Sequence, residues 1–279
     1  MNFGPVGIKC SDHAGGPAKT HPQHRPAARA RRAATQKPLL SLRNGIAPVT
    51  RVLIVLNVLI YLAELATGAG VNGDSGWIFN HLSLMRDYAY CGGGICYPDG
   101  SLASAGVAHG EWWRLITSAF LHFGPLHLGM NMLGLWWLGS SLEEAIGSRR
   151  YAMLYVVAGL AGAAGALVAT PNQITVGASG AIFGIMGAML VLQYLATGSF
   201  AGPALTLIIV NVAFSFAVSN ISIGGHIGGL IGGVVAGGAM ARFGRGHMAY
   251  GKLGIVGFAS LAAIGVIAVL VAYVKIGLL

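Results

Sequence analysis

One serine in the stretch TVGASGAIFG, residues 175–184, stands among glycines and alanines at the head of a long apolar run. A serine hydroxyl is a weak nucleophile and attacks a carbonyl only when a neighbouring base takes its proton. Histidine does this near neutral pH. His226 in GGHIGGLIGG is the candidate base, again at the start of an apolar run. The acyl-transfer chemistry of such a pair also needs hydrogen-bond donors for the oxyanion. His127 and Asn131, four residues apart in HFGPLHLGMN, project from one helical face and carry such donors. The backbone N–H of Ser179, at a helix N-terminus, supplies another. His122 lies five residues before His127, on the entry to the same helix. No Asp occurs in the apolar runs, so Ser179 and His226 read as a dyad rather than as part of a Ser-His-Asp triad. Phe183, one turn after Ser179, either stacks on His226 and orients its ring or is an ordinary core residue. Taken singly, the serine and the asparagine have plainer explanations in helix packing and interhelical hydrogen bonding. The combination is what points to chemistry.

The solvent in which these residues must be positioned is set by composition. The 279-residue chain is 55% hydrophobic and 9% charged, with a mean hydropathy of +0.70. A soluble domain carries about a quarter charged residues, so the chain reads as an all-α polytopic membrane protein. Its 44 glycines follow no Gly-X-Y period and crowd into apolar runs, as in helices packed closely in lipid. A span needs about 20 predominantly apolar residues. Candidates run over residues 51–70, 126–144, 149–170, 178–197, 203–220, 223–242 and 253–276.

Residues 1–50 differ in character. They are rich in Lys, Arg, Pro, Ala, Gln and Thr, with few large apolar residues, and are expected to stay disordered because they cannot bury enough surface to offset chain entropy. Their charge suits anionic lipid or nucleic acid, or a solvated cytoplasmic tail that sets topology; the last is the reading adopted, with no nucleic-acid partner expected. Cys10, His13, His21 and His24 loosely imitate a metal-ligand spacing. They lack the apolar residues around which a zinc finger folds, so no metal or other cofactor is expected.

Orientation follows from Lys and Arg, which favour the cytoplasmic side. With the N-terminus inside, fourteen of the 17 fall on inner segments and three, Arg86, Arg114 and Lys275, on outer ones. Spans 2, 4 and 6 then carry His127, Asn131, Ser179 and His226 in their outer halves, at one depth. Polar groups at such depth usually face a protein interior or a water-filled cavity. Gly180 and Gly184 on span 4, and Gly225, Gly229, Gly233 and Gly237 on span 6, form stripes along which helix backbones approach closely. A close crossing would bring Ser179 to His226.

With these residues in view, the chain resembles the rhomboid family of intramembrane serine proteases. The resemblance rests on Trp113-Arg114 in GEWWRLITSAF, on His122, His127 and Asn131, and on Gly139, Glu143 and Gly147 in GSSLEEAIG. It rests further on Gly177, Ser179 and Gly180 in GASG, and on His226, Gly229 and Gly233. It covers residues 51–242 and implies a rhomboid-like six-helix core plus one C-terminal transmembrane helix, with residues 243–279 as linker and extra span. It implies Ser179 as nucleophile, His226 as general base, and His127 with Asn131 as oxyanion hole. Trp113 and Arg114 would belong to a structural first outer loop, and Glu143 would hold the inner end of span 2. The implied partners are the lipid bilayer and transmembrane proteins, cleaved in or near a helix-destabilised segment with a small residue before the scissile bond. The implied location is a bacterial inner membrane. The rivals are a non-catalytic rhomboid-like protein that binds membrane clients, and a channel or transporter. The latter would more often show repeats and broken helices with paired charges, absent from this sequence. The first outer loop carries CGGGIC, and Cys91 and Cys96 are expected to form a disulfide there, leaving Cys10 free.

Overall fold

In a computed structural model the described residues are 2–4, 7–9, 46–73, 75–91, 94–96, 104–217, 221–245 and 252–278. The chain divides into two compact units, Met1–Pro38 and Leu39–Leu279. Within the first, the described residues form an antiparallel hairpin of β1 (Asn2–Gly4) and β2 (Gly7–Lys9). Cys10, His13, His21 and His24 lie outside the described residues.

The second unit is helical. Among the described residues, five helices of this unit are long and apolar enough to cross a membrane: α1 (Pro48–Ala66), then Ser148–Ala169, Ser179–Thr197, Ile223–Phe243 and Ile255–Lys275. The protein is an integral, multi-pass, all-α membrane protein. Between the first and second of these helices come the short α2 (Trp77–Leu82), the strands β3 (Tyr88–Cys91), β4 (Gly94–Cys96) and β5 (Ser104–Ala105), and the short α3 (Arg114–Thr117). A continuous helical run follows, made of α4 (Gly124–Gly134), a π-helical turn over Leu135–Gly139, and α5 (Ser140–Ile146). The long helices are then α6 (Ser148–Ala169), α7 (Ser179–Thr197), α9 (Ile223–Phe243) and α10 (Ile255–Lys275), with a 15-residue apolar helix, α8 (Pro203–Ala217), before α9. A small pair of strands, β6 (Gly244–Arg245) and β7 (Lys252–Leu253), precedes α10.

Glycine explains how α6, α7 and α9 come together. A β-carbon on Gly229 or Gly233 of α9 would run into the backbone carbonyl oxygens of Gly180 or Gly184 of α7. One on Gly228 would meet the Ala161 carbonyl of α6, and one on Gly162 would lie 3.1 Å from both Gly180 and Gly225. The three backbones are therefore in contact, and dispersion between them replaces the hydrophobic drive that lipid does not supply. The main core continues through Leu142 of α5, Tyr151 and Leu154 of α6, Ile185 and Met186 of α7, and Ala236 of α9, all nearly inaccessible. A second cluster joins Ala163 and Leu167 of α6 to Ala272 of α10 and to Leu84 and Leu115 of the long connection after α1.

Glu143 secures the opposite end of this bundle. Its buried carboxylate accepts the backbone N–H groups of Val49 (3.0 Å) and Thr50 (2.8 Å), the Thr50 hydroxyl (2.9 Å) and the Ser148 hydroxyl (2.6 Å). One negative charge thus faces the N-termini of α1 and α6, where unpaired N–H groups and the helix dipole favour it. Gly139 sits in the same junction, 2.5 Å from Tyr151 Oη and 3.3 Å from Thr50 if given a β-carbon.

The connection after α1 is built around Arg114, which is fully buried. Its guanidinium donates to Glu111 Oε2 (2.7 Å), to the carbonyls of Asn80 (2.9 Å) and Ser83 (2.8 Å), and to the Tyr88 hydroxyl. It also lies over the Tyr88 ring, 4.8 Å from its centre. Trp113 is half exposed and donates its indole N–H to the His81 carbonyl at 3.3 Å. The strand order is β4-β3-β5, with Cys91 opposite Gly94 and Cys96 opposite Ala89. The two cysteines therefore sit on a diagonal of the hairpin; their side chains lie outside the described residues.

Candidate active site

Ser179 is the first residue of α7, delivered by a pinned segment. Thr175 exchanges both backbone hydrogen bonds with Leu84 (2.9 and 3.1 Å), the Pro171 carbonyl accepts the Arg86 N–H (2.9 Å), and Gly177 donates to the Ser118 carbonyl (2.9 Å). Gly177 has φ of +116°, a backbone region that side chains resist. A β-carbon there would also lie 2.7 and 2.8 Å from Cε1 and Nε2 of the His127 ring. Glycine is thus required twice, by conformation and by the imidazole beside it.

Ser179 Oγ lies 2.8 Å from His226 Nε2. The backbone contact of Gly180 with Gly229, one residue after the serine and three after the histidine, produces this approach. Phe183 stacks on a face of the His226 ring, centroids 4.1 Å apart and planes 14° apart. His226 and Phe183 are buried while Ser179 is half-buried. A small cavity lined by Ser179, His226, Gly177, Ser118, Thr175 and Ser222 opens beside the hydroxyl.

The imidazole has a partner that sequence reasoning did not find. His226 Nδ1 lies 2.7 Å from Ser215 Oγ of α8, and Ser215 Oγ lies 2.8 Å from the Asn211 carbonyl. A carbonyl only accepts, so the single hydroxyl proton of Ser215 points to Asn211. Ser215 then accepts from His226 Nδ1–H, and the neutral ring leaves Nε2 as an acceptor for the Ser179 proton. The signal was available: Asn211 and Ser215, one turn apart, are polar residues in the apolar run PALTLIIVNVAFSFA.

His127 and Asn131 sit on the first two turns of α4. His127 Nδ1 accepts the Phe123 N–H at 3.2 Å, so a neutral His127 carries its proton on Nε2. That Nε2, with the adjacent Cε1, faces Gly177, and Asn131 Nδ2 lies 3.8 Å from the point a Gly177 β-carbon would occupy. Asn131 donates one amide proton to the His127 carbonyl at 2.9 Å, leaving the other for a ligand. The Ser179 N–H belongs to the first turn of α7, where the helix provides no acceptor. Two of these donors thus flank Gly177, two residues before the serine, and the third is the serine's own N–H. If Asn131 binds an oxyanion, Asn131→Ala is expected to lower turnover about 10²–10³-fold with little change in KM. Steady-state kinetics on a transmembrane substrate check this; a change in KM alone would make Asn131 interhelical glue.

His122 stands behind this group. It is fully buried and its ring packs edge-on against His127, with centroids 5.1 Å apart. Its backbone N–H reaches Glu64 Oε2 of α1 at 3.3 Å. Glu64, a buried carboxylate in the first span, was also missed by sequence reasoning, although an ionisable residue in a span is itself a signal. It anchors the loop that leads into α4. Arg114, Trp113 and Glu143 lie in the structural junctions described above. Among the described residues, no group of three or more His, Cys, Asp and Glu side chains is arranged to hold a metal.

Residues 109–243, which include every one of these positions from Trp113 to His226, match the Rhomboid domain. The chain is 36% identical over 176 residues to the rhomboid protease GluP of Bacillus subtilis, covering 62% of this chain and 33% of that protein. It is 44% identical over 93 residues to RHOMBOID-like protein 5 of Arabidopsis thaliana, covering 33% of this chain and 30% of that one. It is 34% identical over 154 residues to the mitochondrial RHOMBOID-like protein 6 of the same plant, with 51% and 50% covered. The chain thus spans half or less of the length of these relatives. It therefore carries a Rhomboid domain at residues 109–243 and is similar to these rhomboid relatives.

Proposed function

We propose that this protein is a serine endopeptidase that cleaves peptide bonds in or near transmembrane segments of other membrane proteins. The observation that carries the proposal is the 2.8 Å approach of Ser179 Oγ to His226 Nε2. In the proposed reaction Ser179 attacks the scissile carbonyl carbon as its proton passes to His226 Nε2. The resulting oxyanion accepts hydrogen bonds from the Ser179 N–H, His127 Nε2–H and Asn131 Nδ2–H. His226 then gives its proton to the leaving amine, forming an acyl-enzyme on Ser179. Water, activated by the same imidazole, hydrolyses this ester and restores the serine.

The proposed substrates have a locally destabilised helix and a small residue before the scissile bond, and the bilayer presents them. The proposed core is residues 51–242, with a basic cytoplasmic tail over 1–50 and an additional helix within 243–279. The distribution of Lys and Arg, fourteen inside against three outside, supports a cytoplasmic N-terminus, and we place the protein in a bacterial inner membrane. The test is labelling of purified protein with a fluorophosphonate, which reacts only with an activated serine. Stoichiometric modification at Ser179 is expected. A folded protein that resists labelling and leaves transmembrane substrates intact would instead be a non-catalytic client binder.

A further inference from the structure

Ser215 lies on a helix that contributes little else to the interior. Of the 15 residues of α8 only Ala204, Ile208 and Ser215 are buried, while Ile209, Val210, Phe214 and Phe216 are exposed. At its start α8 is tied to α7 by Gln193, which accepts the Ala204 N–H at 3.0 Å and donates to the Phe200 carbonyl at 2.7 Å. Towards its other end the polar tie is Ser215, whose oxygen is 2.7 Å from His226 Nδ1. A serine hydroxyl committed to the carbonyl four residues back is an acceptor of fixed direction. It holds the imidazole as a carboxylate does in a triad, without adding a charge to a membrane interior where charge is costly.

We propose that Ser215 is a positioning residue of the reaction: it holds His226 in the Nδ1–H tautomer, so that the base is competent only while α8 is packed against α9. The Phe183 stack fixes the plane of the ring but cannot choose between its two nitrogens. Only an acceptor at Nδ1 makes that choice. Without it the Nε2–H tautomer becomes accessible, and in that form the ring donates towards Ser179 and cannot take its proton.

This inference rests on the proposed protease reading and is tested beside it. Wild-type, Ser215→Ala and Ser215→Thr proteins are compared for cleavage of a transmembrane substrate, for the rate of fluorophosphonate labelling and for thermal unfolding. Ser215→Ala is expected to lower kcat and the labelling rate about 10- to 100-fold, the scale set by leaving one buried hydrogen-bonding group unpartnered, with KM within about twofold of wild type. Ser215→Thr, which keeps the hydroxyl, is expected to recover most of the rate. Nitrogen NMR of labelled His226 is expected to show a protonated Nδ1 in wild type and a mixture of tautomers in Ser215→Ala. An active wild type with Ser215→Ala at wild-type rates, or an unchanged His226 tautomer in Ser215→Ala, would overturn the inference and leave the protease reading intact. Loss of rate matched by loss of unfolding temperature, without recovery in Ser215→Thr, would likewise overturn it in favour of a packing role. An inactive, unlabelled wild type would defeat the protease reading itself.

Discussion

Ser179→Ala is expected to reduce cleavage of a transmembrane substrate to background while leaving the unfolding temperature close to wild type. The side chain is half-buried and ends at a small cavity, so removing one oxygen disturbs little packing. Its hydroxyl is nevertheless the atom on which the proposed covalent chemistry is built. In serine hydrolases that use such a constellation, removing the nucleophile or the base alone costs about as much as removing both. His226→Ala and the double variant should therefore be nearly as inactive as Ser179→Ala, a fall of about four to six orders of magnitude where the assay can follow it. Multiplicative losses in the double variant would mean that the two residues do not act as a unit. Cleavage by purified Ser179→Ala at the wild-type rate would end the mechanism.

Gly229→Ala should be almost as damaging, although it adds only a methyl group and removes no reacting atom. The new β-carbon would run into the Gly180 carbonyl oxygen, and a backbone atom in mid-helix cannot swing aside as a side chain can. The helices must separate, which overpacking studies put at about 1–3 kcal/mol of stability. The separation occurs beside the proposed Ser179–His226 pair, because Gly180 follows Ser179 and Gly229 lies one turn after His226. A misplacement of about 1 Å between reacting groups costs about 10² in rate, so activity should fall further than stability alone explains. Gly238→Ala is the control: on the same helix, its β-carbon would meet nothing within 4 Å, and it should behave as wild type. Measurement of unfolding temperature and turnover for both variants checks this. Equal behaviour of the two would show that α7 and α9 are not held by backbone contact at Gly229.

Much of this molecule is legible in its sequence because a membrane leaves a chain few choices. Every backbone polar group in lipid must be satisfied within its own segment, so apolar runs become helices. The expected runs 149–170, 178–197 and 223–242 appear as Ser148–Ala169, Ser179–Thr197 and Ile223–Phe243. The first run, expected at 51–70, is found at Pro48–Ala66. Proline is favoured in a first helical turn, and Gly68, with φ of +91°, lies just past the helix end. The apolar run between Phe123 and Gly147 hid its π-helical turn, which no periodicity announces.

The candidate site divides along the same line. Residue type and spacing alone singled out Ser179, His226, His127 and Asn131, because a polar group in an apolar run is expensive enough to need a reason. Spacing along one helix also placed Phe183 on the face of Ser179. What spacing cannot express is contact between helices that are distant in the chain. Ser215 meets His226 only because α8 packs with one narrow face inward. Glu64 meets the His122 backbone across 58 positions of sequence, and Glu143 meets α1 across more than 90. The protonation pattern of the two histidines is likewise a tertiary property. It follows from which neighbour, Phe123 N–H for His127 or the Ser215 hydroxyl for His226, occupies each Nδ1. The sequence by itself determined most of the helices and singled out the candidate reactive groups, since these depend on local polarity. Only the tertiary structure decided which nitrogen faces the serine, because a hydrogen bond's direction is set by the partner that packing brings to it.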